Sequence, residues 1–199
     1  MTLRWLAFSL LSLQLGCAKD SGSASPDANR ASEAGPRGVD AVGSDPGGCS
    51  RGVLEADIVY QAALSGPGVD TTTGRLKEPG TTVVVSSTYI RLKPDQAAQQ
   101  RFNELVRPVL TDVRTRRGLL AQQVGTSSGC NTGRTLTVWS DQAAMMEFIR
   151  GTAHATAMAA VGELSRGGGM TVSWTTQQAS AAGWDEAMRR LAAKSGPGF

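Results

Sequence analysis

Between Thr135 and Met158 the hydrophobic period changes from two to about 3.6, and no other feature of the 199 residues constrains the fold as much. Leu136 and Val138 alternate with Thr135, Thr137 and Trp139, the pattern of a half-buried strand. Ser140 or Asp141 can then accept a bond from a first-turn backbone N–H and cap a helix carrying Ala144, Met145, Phe148 and Ile149 on one side. Gly151 interrupts that helix, and residues 152–164 resume it with His154, the only histidine in the chain, near the restart. A strand, a sharp turn and a broken helix thus deliver one imidazole to a defined place, while the stretch itself names nothing for that group to act on.

The flanking segments complete a pattern. Residues 82–92 are β-branched and stop at Lys93-Pro94, where proline ends a strand and can start a helix. Ala98, Phe102, Leu105, Val106, Val109, Leu110 and Val113 then form one apolar helical stripe, with Pro108 predicting a kink or restart inside it. Gly118 closes that helix, residues 119–124 give a second strand, and residues 125–133 read as a polar loop holding Cys130 before the strand 134–139. After the broken helix, Gly167-Gly168-Gly169 reads as a flexible turn into a fourth strand, 170–176, and residues 183–194 as a short covering helix with Trp184, Met188 and Leu191 on one face.

Strand, helix, strand, strand, helix, strand is the split βαβ order of an α+β, ferredoxin-like fold. Helices cover one face of its sheet. The economical cover for the other face is a second copy, so a homodimer whose two sheets close into one barrel is expected, with the C-terminal helix or the strand-like segment 53–64 as less favoured covers. Residues 51–80 form an N-terminal extension around Ile58-Val59-Tyr60, followed by a loop marked by Gly66-Pro67-Gly68 and Pro79-Gly80. The domain proper spans residues 81–180, and 181–199 are the C-terminal helix and tail.

At the other end, Arg4 and an apolar run from Trp5 to Leu15 have the form of a signal peptide, too short to span a bilayer. Gln14-Leu15-Gly16-Cys17 resembles the lipobox of bacterial lipoproteins, which implies a signal peptide over 1–16, a lipid on Cys17 and a place in the bacterial cell envelope, inner or outer membrane left open. An ordinary secretory signal cut nearby is the alternative. Residues 17–50, the lipid anchor and linker, are rich in Gly, Ser, Ala, Pro and Asp without apolar periodicity, and read as a disordered tether about 30 Å from end to end. With Cys17 lipidated, Cys49 and Cys130 are an even pair in an oxidising compartment, and a disulfide between them is expected. Metal ligation and a reactive thiol are the competing readings; both lack neighbours, since there is no CxxC and the lone histidine lies in another segment.

Several function classes fall away. The charge of +3 is spread among interspersed acids, and no basic stripe with interleaved aromatics points to nucleic acid. The Arg114, Arg116 and Arg117 cluster suits a helix C-terminus instead. The glycine triplet enters a strand without a following Lys-Ser/Thr, so it is no phosphate loop, and neither a Gly-x-Ser-x-Gly elbow nor HExxH is present.

Residues 82–176 resemble the dimeric α/β-barrel superfamily that includes the antibiotic biosynthesis monooxygenases and the spheroidene monooxygenase-like proteins. The resemblance is carried by Leu136-Thr-Val-Trp139, Ser140-Asp141, Ala144, Phe148 and Ala153-His154 followed by Ala157-Met158. It implies two readings of the site, and a third stands beside them independently of the resemblance. A heme-binding member would use His154 as axial ligand, with Phe148, Trp139 and Met158 as pocket walls. The heme-degrading members also share an asparagine and a second tryptophan, whereas Phe148 stands on the helix here and only Asn103 and Asn131 follow the tether. A cofactor-free oxygenase would hold a small apolar or aromatic ligand between sheet and helices, with His154 orienting it or taking a proton. In the third reading His154 is an inert helix-start residue, and the domain is a non-catalytic interaction or scaffold lipoprotein. A sizeable apolar cavity beside His154 favours a ligand site, and a filled core with an exposed apolar patch favours the scaffold.

Overall fold

Two aspartates set where the helical layer begins. Asp95 accepts from the Ala98 N–H at 2.8 Å and starts α1, Gln96–Thr115; Asp141, not Ser140, accepts from the Ala144 N–H at 2.8 Å and starts α2, Gln142–Ile149. The computed structural model describes residues 49–195, so the signal peptide, Cys17, most of the tether and residues 196–199 lie outside the described residues. Five strands form one antiparallel sheet: β1 Val59–Tyr60, β2 Val83–Leu92, β3 Leu119–Ser127, β4 Thr132–Trp139 and β5 Ser165–Thr176, in the order β1-β3-β4-β2-β5. The parallel strands β2 and β3 are linked by α1 and separated by β4, which is the split βαβ arrangement, and the fold is α+β and ferredoxin-like.

Helix α2 stops at Gly151; α3, Thr152–Ala159, and the single turn α4, Val161–Leu164, carry the chain back to β5. Gly118 sits at φ 78°, and a Cβ there would come within 2.6 Å of the Ala144 and Ser140 side chains, so only glycine lets the β3 entry approach the start of α2 this closely. Helix α1 continues through Pro108 as one element, without a restart. Its buried stripe, Ala98, Leu105 and Val113, holds it on both sides of the missing donor.

Two expected loops are strand. Pairing runs through most of residues 125–133, with Thr126 opposite Gly133 and Ser127 opposite Thr132, leaving only residues 128–131 as the turn, where Asn131 takes φ 52°. Likewise Gly167 and Gly168 lie inside β5 at φ 84° and 82°, beside the register shift between Ile90 and Leu92. The glycines form an irregularity within the strand where a turn was expected.

The sheet alternates as its sequence demands. On one face Val85, Leu136, Val138, Met170 and Val172 pack against Ala187, Met188 and Leu191 of α5, Trp184–Ala193, and against Val69 of the extension. The C-terminal helix and the N-terminal extension, the two less favoured covers, both pack on this face. They do so because α5 places three buried side chains on one stripe and the extension is fastened across the sheet.

The fastening is polar. The side chains of Glu55 and Arg134, each 0 % exposed, pair at 2.6 Å; Thr132 donates to the second Glu55 oxygen at 2.7 Å, and the remaining guanidinium donors reach the Ser50, Arg51 and Val53 carbonyls. The Arg134 guanidinium lies 4.5 Å from the centre of the Tyr89 ring, and Tyr89 Oη donates to the Cys49 carbonyl. Asp57 accepts from Ser127 Oγ at 2.5 Å and from the Gly129 N–H at 2.8 Å, which holds its carboxyl below the usual range. The expected disulfide between Cys49 and Cys130 is formed, with Cα atoms 5.4 Å apart. Finally β1 adds two residues to the free edge of β3.

Candidate functional site

On the other face of the sheet the side chains do not fill the space beneath the helices. Val84 and Trp139 pack with Val113, Met145 and Phe148 at one end, and Leu92 packs with Ala98, Leu105 and Leu164 at the other. Between these two clusters lies a cavity of about 450 Å³, within the range that holds small organic ligands. Its roof is apolar and comes from α1, α2 and α3, through residues such as Phe102, Val109, Ile149 and Met158.

The floor is different. Strand register places Gln122, Thr137 and Ser86 in one row across β3, β4 and β2, and Val124, Thr135 and Thr88 in the next. The Thr88 and Thr135 hydroxyls bond to one another. Trp139 Nε1 donates to Thr137 Oγ1 at 2.9 Å, and that hydroxyl in turn faces the Ser86 carbonyl at 3.4 Å. Trp139, 0 % exposed, is thereby locked as a wall with its one polar atom satisfied.

His154, Phe148, Trp139 and Met158, the four residues singled out from sequence, all line this one cavity. Trp139 stacks on Phe148 with ring centres 5.4 Å apart, and Phe148 meets the edge of His154 at 5.0 Å. Burial pushes the His154 pKa down; a hydrogen bond to the Ile149 backbone and the Asp112 charge oppose it without reversing it. At neutral pH the imidazole is therefore uncharged. A neutral imidazole keeps one ring N–H as a donor and leaves the other ring nitrogen as a proton acceptor.

The sign of the resulting pH dependence follows. The folded His154 pKa lies below the ordinary 6.5, so the unfolded chain takes up this proton first, and stability is lost as pH falls below about 6.5. Urea titrations at pH 7.5 and at pH 5.5 should show a smaller acid-induced loss for His154→Gln than for the wild type. Equal losses would mean that His154 titrates as if exposed.

Gln122 and Ser86 were not anticipated from sequence. They are 6 % and 9 % exposed and line the cavity, and among the described residues neither the Gln122 amide nor the Ser86 hydroxyl has a hydrogen-bond partner. The available signal was polar residues at alternate strand positions, which reads as a wet sheet face until a helical roof is known to stand over it.

The heme reading can be tested against the lining. The neutral imidazole has the form of an axial ligand. Heme also carries two propionate carboxylates, and Arg134, the only Lys or Arg among the lining residues, has its guanidinium committed to Glu55 and Tyr89. The residues present do not fit heme. Among the described residues no group of three or more His, Cys, Asp and Glu side chains is placed to hold a metal ion, and no helix is long and apolar enough to cross a membrane.

Comparison with solved structures returns similarities at low identity. Rv0793 from Mycobacterium tuberculosis matches 47 % of this chain and 93 % of its own at 17 % identity and a TM-score of 0.41. A candidate antibiotic biosynthesis monooxygenase from Nitrosomonas europaea matches 47 % of this chain and 89 % of its own, at 12 % identity and 0.42. Another, from Caulobacter crescentus, matches 48 % and 90 %, at 16 % identity and 0.41. Identities and TM-scores this low assign neither a family nor an activity. No protein-family model and no curated protein matches the chain.

Proposed function

We propose that the domain binds a small, uncharged apolar or aromatic ligand between its sheet and its helices, with neutral His154 as the proton acceptor beside it, and that oxygenation of that ligand is its chemistry. The observation that carries the reading is the apolar-roofed cavity of about 450 Å³ lined by His154, Phe148, Trp139 and Met158. The scaffold alternative needs a filled core and an exposed apolar patch. Among the described residues the large exposed apolar side chains are only Val53 and Val59. Oxygenation rests on the resemblance of residues 82–176 to the cofactor-free oxygenases, with molecular oxygen as oxidant and an electron-rich ligand supplying the electrons. We further propose that a lipid on Cys17 holds the domain at the bacterial cell envelope.

The test is equilibrium binding of 1-aminoanthracene to the full chain, followed by its fluorescence. One saturable site is expected, lost in Ala157→Trp, which fills the cavity from α3 while the circular dichroism spectrum stays unchanged. No saturable binding to the wild type would sink the reading. An oxygen electrode with 1-naphthol as trial substrate then reads turnover, in which 1-naphthol and one dioxygen give naphthoquinone and one water. His154→Ala should lower that rate at least tenfold. Cys17→Ser should move the protein out of the membrane fraction.

A further inference from the structure

The cavity's unused polar capacity is not distributed at random. Thr137 is occupied on both sides, by the Trp139 indole and the Ser86 carbonyl, and the Thr88 and Thr135 hydroxyls take each other. Gln122 and Ser86 flank Thr137 in the same cross-strand row, about 10 Å apart at the backbone given the spacing of neighbouring strands. Gln122 alternates with Ala121 and Gln123, which face the α5 side, where Gln123 accepts from the Trp184 indole. The Gln122 amide therefore projects beneath the helical roof. It carries both a donor and an acceptor, neither bonded to another described residue, and both stay open to the cavity for a ligand to take up.

No cation is available on the lining to complement it, since the Arg134 guanidinium is spent on Glu55 and on three carbonyls. From these observations we infer that Gln122, seconded by Ser86, is the specificity-determining contact of the cavity, and that it selects uncharged ligands whose apolar body ends in a paired hydrogen-bond donor and acceptor, such as a lactam or carboxamide. This deepens the binding reading above and rests on it. The Gln122 amide meets a lactam through two antiparallel bonds, N–H to carbonyl and carbonyl to N–H, while Phe102, Val109 and Met158 cover the ring system. A carboxylate finds no counter-charge there, and a plain hydrocarbon leaves the amide unpaired.

Three two-ring probes of similar size separate these cases: quinolin-2(1H)-one, naphthalene and 2-naphthoate, each competed against 1-aminoanthracene on the full chain. The wild type should bind the quinolinone about tenfold or more tighter than either of the others. In Gln122→Leu, close in volume, the quinolinone should lose about that factor while naphthalene binds equally or more tightly. Thermal melting of the unliganded Gln122→Leu protein should be unchanged or higher, because the amide bonds no other described side chain; a glutamine with a structural role would give a drop. Ser86→Ala should lower quinolinone affinity by a smaller factor and serves if Gln122→Leu does not fold. Equal affinity of the three probes for the wild type, or no response to Gln122→Leu, overturns the inference and leaves the binding site standing. Displacement by none of them, with no saturable 1-aminoanthracene binding, removes the site itself.

Discussion

Glu55→Ala is expected to destabilise the domain by about 3 to 5 kcal/mol, a large share of the roughly 5 to 15 kcal/mol that holds a domain folded. Both side chains of the pair are 0 % exposed. Truncating the carboxylate leaves the Arg134 guanidinium buried with three backbone carbonyls and the face of Tyr89, and it strips Thr132 Oγ1 of its acceptor. Water has no easy way in, so the charge stays uncompensated unless the extension lifts away. Urea denaturation reads the loss. The double replacement Glu55→Leu with Arg134→Met should recover most of it, since an apolar pair of similar volume needs no counter-charge. A cost below about 1 kcal/mol for Glu55→Ala would show that the extension is fastened by something else.

Opening the disulfide acts on the same joint by another route. Cys49 and Cys130 are 81 residues apart, and releasing a loop of that length returns to the unfolded chain entropy worth at most about 4 to 5 kcal/mol. The Cys49→Ser, Cys130→Ser protein should therefore melt well below the oxidised form, and dithiothreitol should bring the wild type to the same midpoint. Cys49 also supplies the carbonyl that accepts from Tyr89 Oη, next to the Arg134 cluster. Because both devices pin one segment, combining the cysteine pair with Glu55→Ala should cost clearly less than the two losses added. Strict additivity would mean that the ion pair and the disulfide hold separate units.

The order of strands and helices was legible because each periodic segment is long and its punctuation is strong. Lys93-Pro94, Gly118 and the Ser140-Asp141 cap all mark real boundaries. What failed was composition taken as conformation. Residues 125–133 and the glycine triplet look like loops, yet cross-strand pairing to β4 and β2 draws them into the sheet. His154, Phe148, Trp139 and Met158 could be gathered into one site because a strand end and two short helices converge there. Gln122 and Ser86 could not, since alternation tells which residues share a face and not what stands opposite it. The strand around Val59 and Tyr60 could be read, but how the extension is fastened could not, for a similar reason. Glu55 and Arg134 are 79 residues apart, and nothing local marks either as a partner.

Synthesis order gives the self-made cover a further meaning. Every strand precedes α5, so the face bearing Val85, Val138 and Val172 stays open to water until residues 184–193 have left the ribosome. The extension emerges first yet has nowhere to dock until Cys130 and Arg134 arrive. Both halves of the cover thus close late, over a sheet already assembled. The nascent domain offers chaperones one broad apolar surface, and a chain cut before Trp184 keeps that surface for its lifetime.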